Sequence, residues 1–409
     1  MTARASAEDS SSFAELWRIP GMPPLAVSVG LSRWVLDGML PVTAVLTCLR
    51  LFGSPAIAGL VVFLGTFPGL VVTPFAGALL DRRGRIAFIR LDVVVATTVM
   101  ALIAALIVAG RLTAPVLACL AVLISCTRPL AQAGARAQVP SMTPERLWDR
   151  VNAVDNAVFT AVSLTAPAAA SALFALLGPA PVYMAGGALL VLTALVLARV
   201  PESVLAEDPG TVWEETRSGL GYFWRNRTLM SLAVSSSLLN FAPGTIIVVL
   251  PIIVVSHLHY SAALVGVLLA TEQVGAAVAI VAAGRVGTRD REVALMAGGA
   301  LTSAAGVSLM LTGWLPLIAA GIFIVGAGGG PYWVALYGLR QRRTVPHMFA
   351  RAFALSYAGN VAGQPLSSAA AGWLSGATGS TPALGLAIAG PLLAVVALSR
   401  IPKNGGATR

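Results

Sequence analysis

About twelve times between Leu25 and Arg400 the chain turns apolar for roughly twenty residues, the length of helix that crosses a hydrocarbon core of roughly 30 Å. In lipid no water is at hand for backbone N–H and C=O groups, so such segments must satisfy them internally as helices. Only 11% of the residues are charged and 57% are hydrophobic, whereas an ordinary soluble domain is about 25% charged. A water-soluble fold is excluded. The fold class expected is an all-α integral membrane protein.

Apolar runs between turn signals place helices near 24–49, 54–80, 86–109, 115–138, 150–177 and 181–200, then near 228–255, 262–286, 293–313, 315–340, 348–375 and 381–400. The stretch before Leu25 carries Glu8, Asp9 and Glu15 and lacks the basic-then-apolar pattern of a cleaved leader, so the first span is expected to be retained. Cys48, Cys119 and Cys126 all fall inside apolar runs and read as buried small hydrophobes.

The net charge of +10 could suggest nucleic acid, but the positions of the basic residues decide otherwise. With the N-terminus inside, Arg82, Arg83, Arg85, Arg146, Arg150, Arg217, Arg225, Arg227, Arg289, Arg291, Arg342, Arg343 and Lys403 are cytoplasmic, while the opposite loops hold Arg50 and Arg111. This is the positive-inside pattern. The basic rim faces anionic lipid, so the expected partner is the bilayer and not nucleic acid, and both termini are expected in the cytoplasm.

The two sets of six repeat. Ser54 to Gly59 returns as Ser261 to Gly266, Gly77 as Gly284, and Val139 to Met142 as Val345 to Met348, all at offsets of 206 or 207 residues. Consistent offsets at three places mark a parallel duplication, as in transporters whose halves are related by an axis along the membrane normal. The expected organisation is a cytoplasmic segment 1–23, a six-helix half 24–200, a cytoplasmic linker 201–227, a second six-helix half 228–400 and a tail 401–409. In the linker, Thr211 and Glu214 form a capping-box pattern. Trp213, Leu220, Phe223 and Trp224 follow at helical spacing, the mark of an interfacial amphipathic helix.

Between the second and third spans runs Gly77-Ala78-Leu79-Leu80-Asp81-Arg82-Arg83-Gly84-Arg85, which resembles the signature loop of the major facilitator superfamily. Positive-inside topology alone requires arginines there, but not Gly77, Asp81 or Gly84. Gly77 permits close helix approach and Gly84 a tight turn. The resemblance implies that Gly77, Asp81, Arg82, Gly84 and Arg85 form a gate. Asp81 would rest on the N-terminus of the eleventh helix, beginning near Met348, where exposed N–H groups favour an anion. Leu31-Ser32 with Asp37-Gly38, Leu220 to Asn226, and Gln341 to Pro346 with Arg351 are similar to the branch of enterobactin and macrolide exporters. In the fifth helix Ala166-Pro167-Ala168 departs from the glycine-rich Gly-Pro motif of the superfamily's antiporters.

Charges inside a membrane are costly and line a cavity or pair with one another. Arg33 and Asp37 stand one turn apart in the first span, Arg128 deep in the fourth and Glu272 central in the eighth. Asp37 and Glu272 are the candidate proton carriers. For Asp37, burial disfavours the charge that Arg33 one turn away would favour, unless the two form a permanent structural pair. Glu272 could equally hydrogen-bond a neighbouring helix. Ser125, Arg128, Gln132 and Arg136 share a face of the fourth span, from which Arg128 could meet an anionic group or Asp37. With Asn240 and with Asn360, Gln364 and Ser367 or Ser368, these are the expected cavity and substrate positions alongside Arg33; helix packing is the competing reading.

Gly326 to Pro331 lacks the Lys-Ser/Thr of a phosphate loop and reads as a close-packed, bendable helix. His257 and His259 have no Cys, Asp or Glu beside them, so no metal site is expected. No ATP-binding motif is present, so neither cofactor nor catalysis is expected and an ion gradient is the energy source. The expectation is a monomeric, proton-coupled bacterial inner-membrane exporter of a small molecule, with import or a non-transporting role as the alternatives.

Overall fold

The computed structural model describes residues 13–73, 84–201, 221, 223–286, 291–343 and 359–401. Among these residues eleven helices are long and apolar enough to cross a membrane: α1 (Met22–Phe52), α2 (Pro55–Thr73), α3 (Arg85–Val108), α4 (Ala114–Val139), α5 (Glu145–Leu177), α6 (Pro179–Leu197), α7 (Arg227–His257), α8 (Ala262–Arg285), α9 (Glu292–Met310), α10 (Leu315–Arg340) and, last in the chain, α12 (Ser380–Leu398). Between the last two stands α11 (Gly363–Thr378), the C-terminal part of the span expected over 348–375. The described residues contain no strand. Nearly all of the expected linker lies outside the described residues, including Thr211 and Glu214.

Local chemistry sets the boundaries. Gly53, at φ 60, ends α1 in the left-handed region that costs glycine least. Ser54 then caps α2 by accepting the Ile57 N–H at 3.3 Å, with Pro55 at the first helical position. Asn226 caps α7 the same way, accepting the Leu229 N–H at 3.1 Å.

The helices form two groups, α1–α6 and α7–α12. In the first, α3 packs on α4 and α6; in the second, α9 packs on α10 and α12. Small residues let backbones meet where lipid supplies no hydrophobic drive between helices. The glycine run of α10 shows this on two sides: Gly326 lies on the Glu272 carbonyl of α8, and Gly328 on the Gly299 carbonyl of α9. Pro331 sits inside the same continuous helix.

The groups meet through α2 against α11 and α5 against α8. Gly59 of α2 lies against Ser368 and Gly372 of α11, and Gly266 of α8 against Pro167 and Ala168 of α5. These contacts all lie toward the end bearing the turns at Gly53, Gly178, 258–261 and Gly379, here called the sealed end.

Three further features bear on the site. Residues Trp34–Met39 of α1 form a π-helical turn in which the Leu40 N–H reaches back to the Val35 carbonyl. Pro41 has no N–H for the Asp37 carbonyl, which accounts for the widened turn there. A short helix, Phe13–Arg18, precedes α1; its Glu15 accepts from Arg146 at 2.6 Å, which holds the Glu15 carboxyl below its usual range. Cys48 is buried as expected, but Cys119 is exposed on the outside of the bundle. That surface faces lipid, where an apolar side chain loses nothing by pointing outward.

Candidate transport site

Arg128 of α4 is the centre of a charge cluster drawn from three helices. Its Nε and Nη2 donate to the two carboxylate oxygens of Asp37 on α1, at 2.9 and 2.8 Å. Its Nη1 donates to Ser32 Oγ of α1 at 2.8 Å and to Asp92 Oδ2 of α3 at 3.3 Å. The other Asp92 oxygen accepts from Thr127 Oγ1 at 2.7 Å. A guanidinium presents a rigid fork of donors that matches carboxylates two atoms at a time, and here its two edges face different acids. The acids differ in access: the Asp37 side chain is 34% exposed and that of Asp92 is 0%.

The sequence expectation of an Arg33–Asp37 couple is corrected. Arg33 instead donates through Nη1 to Asp155 of α5. Arg33 and Asp37 stand one turn apart on α1, but each is taken by a different neighbouring helix. Arg33 thus ties α1 to α5 and leaves Asp37 to Arg128. An apolar groove runs between α1 and α5, lined by Val27, Leu31, Trp34, Val154, Val158 and Val162. Trp34 Nε1 spans to Thr165 Oγ1 at 3.1 Å.

Glu272 is half-buried on α8, and no described residue gives it a hydrogen bond or ion pair. Gln132 is half-buried and Gln364 exposed. Several polar residues expected in a cavity are spent on packing. Asn240 of α7 donates to the Asn360 carbonyl at 3.0 Å and to its Oδ1 at 2.6 Å, and Asn360 is buried. Ser368 is buried and donates to the Gly244 carbonyl of α7 at 2.7 Å. Ser125 accepts the Gly69 N–H of α2 at 2.9 Å. In lipid a polar side chain between two helices finds its partner on the neighbour, and the short range of these bonds draws the helices together.

Of the gate, Gly77, Asp81 and Arg82 lie outside the described residues, as does Met348. Gly84 has φ 91, the positive-φ turn that its place in the loop requires. Arg85 Nη1 donates to the Ala137 carbonyl at 2.8 Å, tying the start of α3 to the end of α4.

Sequence reasoning missed Asp92 and Asp155. Both are acids inside apolar runs, and counting acids against bases span by span would have exposed them.

The model of the Major Facilitator Superfamily matches residues 24–252 and again 232–406, together spanning both six-helix groups. The chain belongs to the major facilitator superfamily. Uncharacterized MFS-type transporter y4rN of Sinorhizobium fredii (strain NBRC 101917 / NGR234) is 35% identical over 372 residues, which are 89% of this chain and 91% of that one. Two solved structures are similar at low identity. A bacterial homologue of iron transporter ferroportin in the inward-facing state has a TM-score of 0.72 at 16% identity, covering 95% of this chain and 99% of its own. Nucleoside transporter NupG has 0.70 at 12%, covering 92% and 97%. As a superfamily member the chain is a multi-pass membrane transporter, and the Arg128 cluster lies inside its membrane-spanning part.

Proposed function

We propose that this superfamily member is a proton-coupled exporter of a small amphipathic molecule, a drug, siderophore or secondary metabolite, working as a monomer in a bacterial inner membrane. The observation that carries the reading is the Arg128–Asp37 couple, held at 2.8 and 2.9 Å within the spans while Asp37 stays 34% exposed. An accessible carboxylate on a guanidinium can exchange its cation for a proton, and that exchange is a coupling step. Glu272, without a described partner, is the second proton carrier. The groove between α1 and α5 suits the apolar body of the substrate, and Arg128, Gln132 and Gln364 its polar end.

The proton gradient supplies the energy and no cofactor takes part. Alternating access follows from the arrangement of the halves. The sealed end is the external one under the positive-inside assignment. Asp81 on the eleventh helix closes the opposite end in the outward-facing state. The similarity of Leu31-Ser32, Asp37-Gly38 and Leu220 to Asn226 to enterobactin and macrolide exporters supports export over import.

The test is ethidium uptake by inverted vesicles under an imposed proton gradient, with a growth assay on a panel of toxic compounds in an exporter-deleted host. Wild type is expected to concentrate the dye and protect the host, and Asp37→Asn to do neither. Wild-type activity in Asp37→Asn removes that residue from coupling. Absence of both uptake and protection in wild type overturns export in favour of import or a non-transporting role.

A further inference from the structure

The Arg128 guanidinium is one cation held between two carboxylates, and the two are not equivalent. Asp37 is bound bidentately but is accessible. Asp92 touches the guanidinium at 3.3 Å through a single oxygen, is fully buried and has its other oxygen fixed by Thr127. A lone carboxylate so deeply buried is costly, so Asp92 is tolerable as a charge only because Arg128 lies against it. One positive and two negative charges leave the cluster one cation short of neutral.

We propose that Asp92 is the resident counter-ion of Arg128 and thereby makes Asp37 exchangeable. When Asp37 accepts a proton or a cationic group, Arg128 keeps a buried partner and need not be abandoned in the membrane. Asp37 can let go because Arg128 does not depend on it. Without Asp92, release of Asp37 would strand a buried cation, and Asp37 would stay locked in its ion pair. Asp92 is on this account a positioning residue, acting on Asp37 through Arg128. The inference rests on the proposed coupling role of Asp37 and adds the residue that permits it.

Arg90, two residues before Asp92 on α3, is exposed. Arg33 on α1 is paired with Asp155 of α5. Within α6 the titratable group is Tyr183, which donates to Thr47 Oγ1 at 3.4 Å. The described part of α2 brings no ionisable side chain.

The test needs no substrate. Full-length protein in lipid vesicles is treated with dicyclohexylcarbodiimide, which adds to protonated carboxyls in apolar surroundings, and each modified aspartate is quantified by mass spectrometry across a pH series. In wild type, labelling of Asp37 is expected to rise as the pH falls while Asp92 is spared. In Asp92→Asn the midpoint for Asp37 is expected to move down by about 1 pH unit or more, since removing a neighbouring negative charge leaves the carboxylate better stabilised by its cation. Asp92→Glu is expected to restore the wild-type midpoint. Labelling of Asp92 in preference to Asp37 in wild type overturns the proposal without any variant, and so does an unchanged or raised midpoint in folded Asp92→Asn. Failure of ethidium transport with the midpoint shift intact would strike the export reading alone.

Discussion

At the scale of single residues, the cluster on Arg128 behaves as a unit whose members cannot be removed one at a time without cost. Taking away one partner of a buried ion pair leaves the other charge uncompensated, which is destabilising by about 3–5 kcal/mol, whereas replacing a whole pair by apolar groups is often neutral. Arg128→Leu is therefore expected to lower the thermal unfolding temperature in detergent sharply, since it strands Asp92 with Thr127 as its only remaining bond. The triple change Arg128→Leu, Asp37→Asn and Asp92→Asn is expected to recover most of that loss. If the triple variant melts no higher than the single one, uncompensated charge is not the cause. The Arg33–Asp155 pair has a different character, because the Asp155 side chain is 44% exposed. Asp155 is not enclosed as Asp92 is, so loss of the pair is expected to weaken the α1–α5 contact with a smaller effect on stability.

At the scale of helices, glycine is what brings α10 to its neighbours. A Cβ at Gly326 would fall on the Glu272 carbonyl, backbone that cannot step aside, whereas a Cβ at Gly329, on the same helix, meets no atom within 4 Å. Gly326→Leu is accordingly expected to cost at least the 1–3 kcal/mol of ordinary overpacking. Gly329→Ala should stabilise by up to about 1 kcal/mol through helix propensity. Thermal melting of the two variants checks the opposite signs, and a destabilised Gly329→Ala would mean that flexibility rather than close packing is what the run provides. The π turn of α1 is the other element-level device. Pro41 opens the helix beside Asp37.

At the scale of the whole molecule, the charges break the symmetry of the duplication. At offsets of 206 or 207 residues, Asp92 corresponds to Gly298 or Gly299, Arg128 to Val334 or Ala335, and Asp37 to Pro243 or Gly244. The second half therefore has no copy of the cluster, and Glu272 corresponds to Gly65 or Thr66 in the first. The halves share a fold but divide the chemistry, with the buried ion cluster in one and an acid without a described partner in the other. Alternating access requires the sealed end to open. A Cβ built on Gly376 lies 3.6 Å from the Ala56 Cβ across α11 and α2, within the range for a disulfide. With the native cysteines replaced by alanine, oxidised Ala56→Cys/Gly376→Cys is expected to lose ethidium uptake and to regain it on reduction. Uptake undiminished by a complete cross-link would show that these helices need not part.

The sequence by itself determined the fold class, the superfamily and eleven of the expected spans seen among the described residues. Each of these follows from a constraint that acts along the chain: lipid demands helices of fixed length, and the Gly77 to Arg85 loop is contiguous. Tertiary structure alone decided the partners of the charges. Arg33 and Asp37 are neighbours in sequence, but a long side chain reaches adjacent helices as readily as its own next turn, and here it is Asp155 and Arg128 on those helices that take them. The same applies to Asn240, Asn360, Ser125 and Ser368, polar positions that read as cavity lining until the neighbouring backbones that absorb their hydrogen bonds were in place. Asp92 gained its meaning only when α3, α4 and α1 brought two acids to one guanidinium.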